Sequence, residues 1–165
     1  MTVTHKKVCL LGSFAVGKTS LARRYVHSIF SDKYQTTVGV KIEKKTVPVS
    51  GAEVCLVIWD IHGGTEFQPV HRSYLRGAAG YILVADGTRL SSVEDLRRFR
   101  ETALAANPGA VGVLLLNKTD LASEWRVGPE TERDLARQGW PVLRSSAKTG
   151  EGVEEGFLAL ARQMV

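Results

Sequence analysis

Apolar runs of strand length recur along this chain, separated by segments in which apolar residues fall three and four positions apart. The runs are Lys7 to Leu11, Val54 to Trp59, Gly80 to Ala85, Val111 to Leu116 and Pro141 to Leu143. Helical patterns cover Lys18 to Ser28, Ser92 to Ala106, Pro129 to Gln138 and Val153 to Met164. Such alternation predicts an α/β fold with a parallel sheet, because a parallel strand needs a crossover, usually a helix, to return the chain to the same end. A sixth run, Val38 to Val49, reaches the next one through Ser50 and Gly51 alone, which fits an antiparallel hairpin and makes the expected sheet mixed. Ser91 and Glu94 have capping-box spacing, and Asn107-Pro108-Gly109 is a stop signal.

Composition bounds the reading. A chain of 165 residues with 44% hydrophobic content can build one buried core, and no repeat, linker or low-complexity tract divides residues 1–165, so a single domain is expected. No apolar run reaches the roughly eighteen residues of a membrane span, and the N-terminal Met-Thr-Val-Thr-His-Lys-Lys lacks a small-residue cleavage site. A soluble, cytoplasmic protein is expected. Cys9 and Cys55 sit inside apolar runs and read as buried core thiols of a reducing compartment. Lys and Arg number 22 against 17 Asp and Glu, a net charge of +5, but the basic residues scatter beside acids, so no nucleic-acid partner is expected.

The first strand-to-helix junction carries chemistry. Gly12-Ser13-Phe14-Ala15-Val16-Gly17-Lys18-Thr19 fits the pattern G-x-x-x-x-G-K-[ST], in which successive backbone N–H groups and the positive end of a helix dipole bind phosphate oxygens. Lys18 adds a charge near the β- and γ-phosphates, Thr19 offers a hydroxyl to Mg²⁺, and Ser20 continues the contact surface.

Which base is bound depends on a second segment. Asn117-Lys118-Thr119-Asp120 follows the Val111 to Leu116 run, at the carboxyl end of a strand where open α/β sheets bind ligands. Asp120 can accept hydrogen bonds from the N1–H and the exocyclic amine of guanine, an edge that adenine does not present.

With these segments in order, the sequence resembles the Ras superfamily of small GTPases over nearly its whole length, closest to Rab-like or Roc-like members, bacterial Ras-like proteins included. The resemblance implies a P-loop small G-domain: a six-stranded mixed sheet with one antiparallel strand and helices on both faces. Ser146-Ala147-Lys148 resembles the family's last base-binding segment, with the Ala147 N–H meeting guanine O6. Trp59-Asp60-Ile61-His62-Gly63 resembles its D-x-x-G motif, which implies that Asp60 holds Mg²⁺ through water and that Gly63 presents its N–H to the γ-phosphate. Phe30, Tyr34 and Thr37 stand at first-switch spacing: Phe30 against the base, Tyr34 over the phosphates, Thr37 on Mg²⁺ in the GTP form. Effectors, exchange factors and GTPase-activating proteins are the implied partners, through segments near 30–40 and 60–76.

Two positions depart from the pattern. Most family members have a water-orienting glutamine after the D-x-x-G glycine, and here that residue is Gly64. A one-residue shift would put Thr65 there at the expense of Phe67, and the glutamine is absent either way. Phe14 occupies a loop position where a small residue is common, and its ring is expected to crowd an incoming arginine finger. His62 has an imidazole whose ordinary pKa, about 6.5, suits acid, base or water-orienting work, although a turn histidine is the simpler reading. Arg72 and Arg76 can reach a phosphate or simply coat a solvated surface. The expectation is therefore a GTP/GDP-dependent switch with slow intrinsic hydrolysis, and the alternative is a constitutively nucleotide-bound, non-hydrolysing module. The chain ends Ala161-Arg162-Gln163-Met164-Val165 without a C-terminal cysteine, so no lipid anchor is expected.

Overall fold

The structure is a computed structural model that describes residues 2–31, 39–61 and 72–165. Six strands form one sheet: β1 (Val3–Leu11), β2 (Val40–Val49), β3 (Ala52–Ile61), β4 (Gly80–Asp86), β5 (Val111–Asn117) and β6 (Val142–Ser145). Their spatial order is β2-β3-β1-β4-β5-β6, with β2 antiparallel to β3 and every other pairing parallel. The β2–β3 turn is made by Ser50 and Gly51, both at positive φ (51° and 82°), the combination a tight hairpin requires.

The apolar runs are continuous because both faces of the sheet are covered. Val8, Leu10, Leu56, Ile58, Ile82, Val84, Val113 and Leu115 point to one face, where Leu21, Ala22 and Tyr25 of α1 (Lys18–His27) and Phe157, Leu160 and Ala161 of α5 (Val153–Gln163) meet them. Tyr25 and Phe157 stack there with ring centroids 3.9 Å apart. The intervening Cys9, Leu11, Tyr81, Leu83, Leu114 and Leu116 face the other side, against Val93 of α2 (Leu90–Glu94), Leu96, Phe99 and Ala103 of α3 (Leu96–Ala106) and Leu135 of α4 (Pro129–Ala136). Both cysteines are buried thiols, and burial pushes Cys9 up to about 12.

Several expected bounds shift. The helix expected over Ser92 to Ala106 begins at Leu90 and comes in two pieces that meet at Asp95, a residue still at helical angles. The Ser91/Glu94 capping box does not form: Arg89 is the N-cap, without a side-chain cap bond. The neighbouring hydroxyl, Ser92 Oγ, is buried and faces Asp86 O at 3.0 Å and Arg89 O at 2.7 Å. Ser28 ends α1 as a left-handed C-cap rather than as its last helical residue. Among the described residues no helix is long and apolar enough to cross a membrane.

Candidate functional site

The Gly12–Thr19 loop follows β1 beside the carboxyl ends of β4 and β5, and side chains from α1, from the turn after β4 and from the end of β5 hold it. Lys18 curls back, so that its buried ammonium donates to Gly12 O at 2.9 Å and Ser13 O at 3.4 Å. Burial lowers its pKa to about 8; the nearby Asp60 opposes that shift and Arg89 adds to it. Arg89 Nη2 donates to Phe14 O, Lys118 Nζ to Ala15 O at 3.0 Å, and Asn117 Nδ2 to Val16 O at 3.0 Å. A planar trans peptide points its C=O and the next N–H in opposite directions. Anchoring the carbonyls of Phe14, Ala15 and Val16 at the strand ends therefore turns the N–H groups of Ala15, Val16 and Gly17 to the opposite side, the arrangement of an anion-binding nest.

Two glycines are required by this packing. A Cβ on Gly12 would stand 2.4 Å from Val84 O, and one on Gly17, at φ 105°, would stand 2.4 Å from Asn117 Nδ2. Gly17 opens α1 without a side-chain cap, and no acidic residue sits in the first turn. By contrast, α4 and α5 carry Glu130 and Glu132, and Glu154 and Glu155, in theirs. The first turn of α1 itself thus adds no negative charge at the positive end of the helix.

Thr19 and Asp60 meet although 41 positions separate them: Thr19 Oγ1 donates to Asp60 Oδ2 at 2.6 Å, with Asp60 buried at the end of β3. A hydroxyl and a carboxylate beside a phosphate loop are hard oxygen donors that fit a Mg²⁺ ion retaining several waters. Among the described residues no cluster of three or more His, Cys, Asp or Glu offers a cage for a metal.

The two segments expected to read the base are also adjacent. Ser146 Oγ donates to Asp120 Oδ1 at 2.7 Å, Ser145 Oγ to Asn117 Oδ1 at 3.2 Å, and the Thr119 N–H to Ser145 O at 3.1 Å. Ser146 and Ala147 are buried and Lys148 is exposed. Ser20 is half-buried in the first turn of α1, and Phe14 (47% exposed) and Phe30 (37%) lie on the surface. Arg72 and Arg76 are exposed around a 3-10 turn, Arg72–Leu75, which Lys7 ties to the sheet by donating to Arg76 O at 2.7 Å. Tyr34, Thr37, His62, Gly63 and Gly64 fall outside the described residues.

The profile of the family described as "Ras family" matches residues 7–165. The chain belongs to the Ras family. It is 35% identical over 160 residues to Ras-related protein RABD1 of Arabidopsis thaliana, covering 96% of this chain and 78% of the relative. Ras-related protein Rab-13 of Canis lupus familiaris is 35% identical over 161 residues (96% and 79%), and Ras-related protein Rab-37 of Homo sapiens 39% identical over 161 residues (96% and 72%). This Ras-family chain is a Rab-like small GTPase, a GTP-binding switch with the mixed six-stranded sheet expected of it.

Motif matching passes over three residues of this small GTPase that the geometry brings to the loop. Asp86, at the register position opposite Asn117, pairs with Lys118 at 2.9 Å. Arg89 reaches Phe14 O, and Ser145 orients Asn117. A polar residue ending the apolar β4 run is the available signal for Asp86; Arg89 precedes the expected helix and no motif marks it.

Proposed function

We propose that residues 1–165 act as one GTP/GDP-dependent switch domain whose intrinsic hydrolysis is slow. The observation that carries the nucleotide-binding part of this reading is the anchoring of the consecutive Phe14, Ala15 and Val16 carbonyls, which leaves loop amides and the uncapped start of α1 for the phosphates; the slow hydrolysis rests on Gly64 in place of a glutamine. Asp120, held by Ser146, accepts from the guanine edge, and Asn117, Lys118, Ala147 and Lys148 complete the base pocket with Phe30. Thr19 and Asp60 would hold Mg²⁺, joined by Thr37 in the GTP form, and the bound ion would neutralise charge on the β- and γ-phosphates.

Hydrolysis needs a water aligned with the γ-phosphorus, opposite the bridging oxygen that leaves with GDP. Lys18 and the N–H of Gly63 stabilise the phosphoryl oxygens. Gly64 has no side chain with which to align the water, and His62 is the nearby group able to do so in part. Phe14 narrows the approach of a partner's arginine. The γ-phosphate orders the segments near 30–40 and 60–76, which then display a surface to effectors, exchange factors and GTPase-activating proteins.

Phe14 and Gly64 together also favour a second reading, a module that binds nucleotide constitutively and never hydrolyses it. Single-turnover hydrolysis of preloaded GTP separates the two. Conversion to GDP above the buffer rate supports the switch, and none, even with a candidate activating protein, supports the static module.

A further inference from the structure

Asn117 and Lys118 grip the outer edge of the phosphate loop as parts of a recognised quartet, but the third grip, Arg89, belongs to no motif. Its Nη2 donates to Phe14 O and lies 3.4 Å from Ser13 Oγ. The backbone beneath it is fixed: the Arg89 N–H donates to Asp86 O at 3.0 Å, and Arg89 O accepts from Ser92 Oγ at 2.7 Å. Thr88 adds two hydrogen bonds to Asp86 Oδ1, at 2.8 Å from its N–H and 2.6 Å from its hydroxyl. Arg89 is thus presented to the loop from a braced turn.

The carbonyl it holds sits at a sensitive joint. Ala15 stands at φ 62°, a left-handed conformation that a residue with a Cβ adopts at a cost. Rotating the Phe14–Ala15 peptide would return Ala15 to an ordinary negative φ. The same rotation would turn the Ala15 N–H outward and aim the Phe14 carbonyl into the phosphate side. Holding Phe14 O from outside opposes that flip.

We propose that Arg89 is a positioning residue acting in cis, whose guanidinium locks the Phe14–Ala15 peptide so that the loop keeps its N–H groups aimed at a nucleoside di- or triphosphate. This rests on reading Gly12–Thr19 as the nucleotide loop. The consequence is control of nucleotide release rather than of the chemical step, because Arg89 touches the loop and not the reacting atoms.

The test measures dissociation of fluorescent GDP from the wild-type chain, Arg89→Ala, Arg89→Lys, Arg89→Ala combined with Ala15→Gly, and Arg97→Ala as a control whose exposed guanidinium pairs with the exposed Glu101. Loss of a charge-assisted hydrogen bond is expected to speed release from Arg89→Ala about tenfold or more, with Arg89→Lys in between and Arg97→Ala unchanged. Glycine at position 15 removes the strain that drives the flip, so the double variant is expected to release GDP more slowly than Arg89→Ala. In the nucleotide-free protein, the Ala15 amide resonance is expected to shift or broaden in Arg89→Ala alone. Release from Arg89→Ala at the wild-type rate would overturn the proposal, as would slowed GTP hydrolysis with unchanged release, or no rescue by glycine. A wild type that fails to bind GDP brings down the loop reading as well; a wild type that binds while Arg89→Ala behaves identically brings down this inference alone.

Discussion

Asn117 Nδ2 donates to Val16 O at 3.0 Å, tying the end of β5 to a loop 101 positions earlier in the chain. The same side chain accepts from Ser145 Oγ at 3.2 Å, so one buried amide joins the Gly12–Thr19 loop, the Asn117–Asp120 quartet and β6. Replacing it with alanine leaves Val16 O and the Ser145 hydroxyl without this partner. Asn117→Ala is expected to lower unfolding free energy by about 1–3 kcal/mol and to speed GDP release, read by urea unfolding and stopped-flow fluorescence.

Gly17 and Gly12 are expected to tolerate no side chain, for different reasons. Gly17→Ala meets both a left-handed φ and Asn117 Nδ2, a side-chain amide that can shift only by releasing Val16 O. Gly12→Ala meets the backbone oxygen of Val84, which cannot move without disturbing β4. Each is expected to cost about 1–3 kcal/mol in thermal or urea unfolding, and Gly17→Ala is expected to lose nucleotide binding as well.

The Asp86–Lys118 pair gives the loop a pH dependence. Burial raises the Asp86 carboxyl, but hydrogen bonds from Thr88 and the Lys118 ammonium outweigh it and hold the group below its ordinary 3.8. A carboxyl depressed in the folded state stabilises fully above that ordinary value, and its contribution disappears as pH falls through the folded value. Asp86→Asn is therefore expected to be less stable than wild type by about 1–3 kcal/mol at pH 7, with the gap closing as the pH drops below about 4. Urea titrations at both pH values check it.

Asp120 is expected to carry base selectivity. Two hydrogen bonds to a carboxylate are together worth roughly 3–6 kcal/mol, so Asp120→Ala is expected to weaken GDP binding by about 10²–10⁴-fold while leaving the much weaker ADP binding unchanged. Competition of GDP and ADP against a fluorescent guanine nucleotide measures both.

Particular residues show how far the sequence alone reached. The run Val111 to Leu116 announces a strand because both of its faces are apolar, and Asn117 marks its carboxyl end by polarity. The Gly12–Thr19 loop was legible because its chemistry is local: glycines, lysine and threonine at fixed offsets. Arg89 was not, because its role depends on a turn that brings it to Phe14 across 75 positions, and no local periodicity encodes that contact. Helix bounds failed for a related reason. The spacing puts the helix start at Ser92 behind a Ser91/Glu94 box, whereas the helix begins at Leu90 and the buried Ser92 hydroxyl packs against Asp86 O and Arg89 O, a tertiary contact that local spacing does not encode.

Slow hydrolysis is expected to hinge on Gly64, the residue that would leave the attacking water unaligned. Single-turnover hydrolysis of GTP preloaded on wild type and on Gly64→Gln tests it directly, with Phe14→Gly alongside to report steric access. A clear acceleration in Gly64→Gln is the predicted result. An unchanged or slower rate in that variant, with GTP binding intact, would contradict the account.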